Sequence, residues 1–111
     1  MSTGALACGH PVPVLHVCSL TVDLRIPDSR SLKEKRGTVK HLVDACQSRF
    51  GVAAAEVGFQ DQWQRSELGF AAVSGTPGQV ESVLDSVERY VWSHPDVEVV
   101  GSSRAWLETE R

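Results

Sequence analysis

The stretch Leu20-Thr21-Val22-Asp23-Leu24-Arg25-Ile26-Pro27-Asp28-Ser29-Arg30-Ser31-Leu32-Lys33-Glu34-Lys35-Arg36 holds a strand, a break and a helix start. Leu20, Val22, Leu24 and Ile26 fall on one side of it; Ser19, Thr21, Asp23 and Arg25 fall on the other. That period of two predicts a strand over Val14–Ile26 with one buried face. Pro27-Asp28-Ser29 ends the strand. Ser31 then stands where an N-cap belongs, and Glu34 stands three residues on, ready to reach back. Apolar residues follow at Leu32, Val39, Leu42, Val43, Cys46 and Phe50. Their spacing of 3.6 predicts an amphipathic helix over 32–50, ended by Gly51.

Downstream the alternation of signals continues. Val52–Phe59 is short and rich in Val and Ala, and reads as a strand. Gln60–Arg65 is a polar connection, and Leu68–Val73 is the second arm of a hairpin. Thr76-Pro77 combines an N-cap with Pro at the first helical position. Val80, Val83, Leu84, Val87 and Val91 mark the buried stripe of a helix over 77–93. His94-Pro95-Asp96 stops it, and Val97–Leu107 is a last strand. The order is strand, helix, strand, strand, helix, strand. With right-handed crossovers this is an α+β, ferredoxin-like βαββαβ sandwich, a four-stranded antiparallel sheet with both helices on one face. The expected organisation is a flexible leader over 1–13, punctuated by Gly4, Gly9, Pro11 and Pro13, one domain over 14–108, and a tail over 109–111.

A chain of 111 residues, 41% hydrophobic and 23% charged, has room for one core. It folds without metal or disulfide staples, because a chain of this size buries roughly two-thirds of its unfolded surface. No apolar run approaches the ~20 residues of a membrane span, so no membrane partner is expected. Cys8, Cys18 and Cys46 are odd in number, match no disulfide framework and follow no signal peptide, which makes a reducing cytoplasm the simplest home. Cys8, His10, His16 and Cys18 form a Cys-x-His…His-x-Cys pattern, but its spacing is not that of a zinc site. No metal and no cofactor is expected.

Topology collects the unusual residues at one end of the sheet. The start of the first helix, the hairpin turn and the connection into the last strand share one rim, which unites Arg30, Lys33 and Arg36 with the 60–65 loop and His94. Six of the 11 Lys and Arg fall within residues 25–40, which carry +4 in a chain of net charge −3. Cations in the first turns of a helix oppose the macrodipole, and this is where acids are preferred. Clustered with free amides, they form a surface a phosphate or carboxylate would want. Arg30, Lys33, Lys35, Arg36, Lys40 and Arg65 are therefore the candidate anion- or RNA-binding residues. Trp63, amid Gln60, Asp61 and Gln64, has no evident core to enter. It is a candidate for base stacking or partner docking. The bland alternatives are a solvated charged face and a Trp63 folded over the sheet edge with Asp61 paired to Arg65. Trp92 sits beside the buried stripe of its helix and reads as a structural residue. Val100, Trp106 and Phe70 are expected on the open sheet face, a surface for a homodimer or another partner.

Enzymatic chemistry has little to stand on. The chain has no Asn, so the Arg–Asn site of acylphosphatases is absent. The first strand has no aromatic residue, which disfavours base stacking on the sheet. The four histidines are scattered, with no nucleophile arranged beside them. Glu56, Asp61 and Glu67 flank one hairpin with no partner evident on a second strand, and read as surface acids. No Walker loop or dinucleotide fingerprint occurs.

Ser31-Leu32-Lys33-Glu34-Lys35-Arg36, then Ala55-Glu56-Val57 and Gln60-Asp61-x-Trp63-Gln64-Arg65 before Leu68-Gly69, resembles the YlxP-like family of small bacterial proteins, a domain of unknown function. The resemblance spans about 14–108. It implies a ferredoxin-like fold and, because members are often encoded beside translation initiation and ribosome-maturation genes, work around the ribosome or RNA. No catalytic residues are established for the family, so none carries over. The chain departs from the pattern in its leader and in Gly37, where another basic residue is common.

Three readings follow. The first is an accessory factor bound to ribosomal RNA or a ribosome-bound protein through the basic helix start and the Trp63 hairpin. The second is a protein-interaction module or homodimer using the open sheet face. The third is an enzyme on a small anion at the helix start, the least supported. The acidic balance of the chain argues for local contacts and against indiscriminate DNA binding.

Overall fold

Strand β1 (His16–Arg25) is the spine of the sheet. Its alternation is realised residue by residue: Cys18, Leu20, Val22 and Leu24 are buried, and the residues between them are partly exposed. The computed structural model describes residues 15–107; the expected leader over 1–13, the Cys8 and His10 half of the Cys/His pattern, and the tail over 109–111 lie outside the described residues. Helix α1 (Leu32–Phe50), strands β2 (Ala53–Gly58) and β3 (Arg65–Ser74), helix α2 (Pro77–Trp92) and strand β4 (Glu98–Trp106) follow in the expected order. The strands lie in the order β2-β3-β1-β4, all antiparallel. This is the α+β, ferredoxin-like arrangement.

The helix ends are made as the residues predict. Ser31 Oγ accepts from Glu34 N at 3.1 Å, and Glu34 Oε1 accepts from Arg30 N at 2.9 Å. Gly51 closes α1 at φ 67°, where a side chain would be strained, and donates its N–H to Gln47 O. Thr76 Oγ1 accepts from Gln79 N ahead of Pro77. Ser31→Ala should lower the stability of the domain by about 1 kcal/mol. Urea unfolding should show a lower midpoint with an unchanged slope.

The core lies between the sheet and the two helices. β1 and β3 contribute Leu20, Val22, Leu24, Leu68 and Phe70; α1 contributes Val39, Leu42 and Cys46; α2 contributes Val80, Leu84, Val87 and Val91. Burial pushes the Cys46 thiol up to about 11, against the opposing pull of Arg49.

Several expectations are corrected. Phe70 is 2% exposed and faces the helices, because it alternates in phase with Leu68 and Ala72. Trp106 pairs with the buried Cys18, so it too lies on the helix side of the sheet and not on the open face. Trp92 is 60% exposed. β3 begins at Arg65, three residues earlier than its apolar run, because Arg65 and Glu67 pair with Arg25 and Asp23 on the polar open face and conceal the alternation.

Candidate functional site

The end of the sheet where β1 gives way to α1 is built around Lys35. The α1 stripe Lys35, Val39, Leu42 and Cys46 is buried, and Lys35 is fully enclosed. The three N–H groups of its Nζ are shared among four acceptors, Glu56 Oε2 at 2.6 Å and the carbonyls of Phe59, Gln60 and Arg65 at 2.9, 3.2 and 3.3 Å. The hydroxyl of the buried Ser66 donates to the same Glu56 oxygen at 2.7 Å. The ammonium thus ties the first turn of α1 to both limbs of the β2–β3 hairpin. Lys35 is therefore corrected from an anion contact to an interior clamp: four protein acceptors surround its ammonium group, and no surface remains for a ligand.

The hairpin loop is held from two further sides. Gln64 Nε2 donates to the carbonyls of Pro27 and Ser29, each at 3.1 Å, and Gln64 O accepts from Ile26 N. Arg65 places Nη2 at 3.0 Å from both oxygens of Asp23 and lays its guanidinium over the Phe59 ring, 4.3 Å from the centroid. Phe59 has φ 57°, a left-handed conformation that a bulky side chain adopts at a cost. The Lys35 bond, the Gln62 N–H to its carbonyl and the Arg65 stack hold it there. Arg65, a candidate anion contact, is consequently a loop fastener committed to Asp23, and the alternative Asp61–Arg65 pair is not the one formed. Gln64 is likewise an internal tie.

These fastenings present Trp63 at the tip, 54% exposed, beside exposed Gln60, Asp61 and Gln62. Arg30, Lys33 and Arg36 are exposed on the neighbouring start of α1 and have no ion-pair partner among the described residues. Lys40 is exposed but pairs with Asp44 at 2.7 Å, a bond that raises its pKa, with the Asp44 charge acting in the same sense. The capping box takes the Glu34 amide and puts the Glu34 carboxylate beside Arg30 N, so the helix start offers fewer free amides than its sequence implies. Arg25, exposed at the end of β1 and opposite Arg65 in the register, is a fourth cation near this rim, outside the candidate set that the sequence suggests.

Along α1 the charges separate by helical spacing. Lys33, Arg36 and Lys40 share one exposed stripe, while Glu34, Thr38 and His41 share another. The second stripe borders an open groove of about 620 Å3, floored by Ile26 and Gly37 and flanked by Asp28, Glu34 and Asp96. His94 joins it as topology predicts, with its ring 5.6 Å from that of His41. His94 Nδ1 accepts from Asp96 N, which sets the proton of the neutral ring on Nε2. Three carboxylates around this groove repel an anion, so the surface suited to phosphate is the Lys33 and Arg36 side of the helix.

The family model for "Protein of unknown function (DUF503)" matches residues 17–104, from β1 into β4 and across the whole rim. The chain belongs to this family. A relative named "Uncharacterized protein YlxP", from Bacillus subtilis (strain 168), is 40% identical over 82 residues, which cover 74% of this chain and 89% of the relative. The DUF503 match thus takes in both the Lys35 clamp and the Trp63 tip, and leaves the first sixteen residues outside.

Proposed function

We propose that this DUF503 protein is a non-enzymatic accessory factor that binds single-stranded segments of ribosomal RNA with the rim formed by α1 and the β2–β3 hairpin. The observation that carries the reading is an exposed Trp63 on a hairpin fastened to the start of α1, where Arg30, Lys33 and Arg36 are exposed and have no ion-pair partner among the described residues. Base stacking on an aromatic ring and phosphate contacts from flanking cations are the two recurring parts of single-strand recognition. Strained backbone held by several fastenings, as at Phe59, is commonest where a surface is shaped for a ligand. The buried free thiols of Cys18 and Cys46 suit a reducing cytoplasm. No helix among the described residues is long and apolar enough to cross a membrane.

Sedimentation of cell lysate through sucrose at low and high salt tests the reading. The native chain is compared with Lys33→Glu/Arg36→Glu, which leaves the Lys35 clamp intact. Migration with a ribosomal subunit or its precursor, released by salt and by the double change, is the expected result. A protein that stays at the top of the gradient under every condition overturns it.

A further inference from the structure

The two outer strands of the sheet are finished differently. On β2 the carbonyls of Ala54 and Glu56 accept side-chain amides, from Gln47 at 3.2 Å and Gln60 at 3.4 Å. β2 is also short, with a bulge between Glu56 and Gly58. β4 is nine residues long, contains neither Pro nor Lys, and exposes every residue but Val99. Leu107 N donates to Val17 O and pairs in register with it, so alternate residues Ala105 and Ser103 turn their backbone groups toward β1. The N–H and C=O groups of Ser102, Arg104 and Trp106 therefore point outward. No side chain among the described residues bonds to them. Arg104, the one cation on the strand, is drawn over the helix side by Asp85 and Glu88 at 2.8 and 3.0 Å and does not guard the edge. A long unpaired edge without such guards is a template for another strand.

We propose that the β4 edge, and not the open sheet face, is the dimer interface of this protein. Two copies pair β4 with β4 in antiparallel fashion, making one eight-stranded sheet. Strand chemistry selects the register. A two-fold axis at residue 104 would set Arg104 opposite the partner's Arg104, a like-charge pair that destabilises the ladder. An axis at residue 103 sets Arg104 opposite the partner's Ser102, whose hydroxyl is held by Glu88 at 2.7 Å within its own chain. Each side carries two acids, Asp85 and Glu88, around one Arg104, so the incoming guanidinium meets negative charge. The same register carries Trp106, 40% exposed, toward the partner's Val100, 55% exposed. The contact is isologous and closes on itself, so it stops at two copies. Because the strands run in opposite directions, the two Lys35 rims lie at opposite ends of the joined sheet.

The full-length chain is examined by sedimentation equilibrium across the micromolar range, where a strand-to-strand contact of modest area associates. Ser103→Lys opposes two ammonium groups across the axis, and circular dichroism checks that it folds. Ser103→Cys, with Cys8→Ser to remove a competing thiol, tests the register, because residues on the axis in a non-hydrogen-bonded pair approach closely enough for a disulfide. The expected results are a reversible dimer, its loss in Ser103→Lys, and rapid oxidation of Ser103→Cys to a covalent dimer. A chain that remains monomeric throughout overturns the proposal. So does a dimer that persists in folded Ser103→Lys, or one in which Ser103→Cys fails to cross-link, since either assigns association to another surface.

Discussion

Replacing Lys35 by Met should destabilise the domain by about 3–5 kcal/mol, the range for breaking one side of a buried charged pair. Lys35 is fully buried, and Glu56 keeps only 16% of its side-chain surface. Without the ammonium, Glu56 retains only the Ser66 hydroxyl and the Phe59, Gln60 and Arg65 carbonyls lose a donor. Partial access of water to Glu56 places the effect toward the lower end of that range. Lys33→Met, two residues away and exposed, should stay within about 0.5 kcal/mol of the parent. Urea titrations of the two variants side by side make the comparison. Adding Glu56→Gln to Lys35→Met should recover part of the loss, because the uncompensated charge goes with it; the double-mutant cycle reads that coupling. A cost below about 1 kcal/mol for Lys35→Met would show that the hairpin does not depend on this clamp.

Changing Arg30, Lys33 and Arg36 together to Gln should weaken binding to single-stranded ribosomal RNA by about 100-fold at 0.1 M salt. Each phosphate contact on a single strand contributes roughly 0.7 to the slope of log affinity against log salt, so three contacts account for about 2. The slope itself should become shallower by the same amount. Trp63→Ala should act differently: it removes stacking worth about 1–3 kcal/mol and leaves the salt slope unchanged. Fluorescence anisotropy with a labelled oligonucleotide at several salt concentrations separates the two effects. An unchanged slope in the triple variant would remove these cations from the interface. Lys40 and Arg65 are left out of the variant because Asp44 and Asp23 already engage them.

How far the site was legible depended on whether a residue's partner was local. The capping box of Ser31 and Glu34 and the Thr76-Pro77 helix start involve neighbours in the chain, and spacing revealed both. Lys35 shows the opposite case. Its position four residues before Val39 and seven before Leu42 put it on the buried stripe, so its burial could have been read from the helix period. A lysine on an apolar stripe ordinarily snorkels outward, and what holds this one inside lies twenty-one to thirty residues away on the hairpin. The Arg65–Asp23 pair spans forty-two residues, whereas the local sequence offers only Asp61 as an alternative partner. The expectation that Trp106 lies on the open face fails because the bulge beside Leu24 resets the alternation of β4 and carries Trp106 to the helix side.

The order of six elements, the buried faces of β1 and both helices, and the gathering of the α1 start, the hairpin and His94 at one rim were determined by the sequence itself. Each follows from hydrophobic period, capping residues and the handedness of crossovers, which act over a few residues or constrain the chain as a whole. Which cations at that rim face solvent was decided only by the tertiary structure. Lys35 and Arg65 belong to the same set of clustered cations as Arg30, Lys33 and Arg36, but are taken up by Glu56 and Asp23. Those two pairings depend on side chains brought together by the completed sheet, over twenty-one and forty-two residues, to which local periodicity is blind; the Lys40–Asp44 pair, one helical turn apart, is by contrast local.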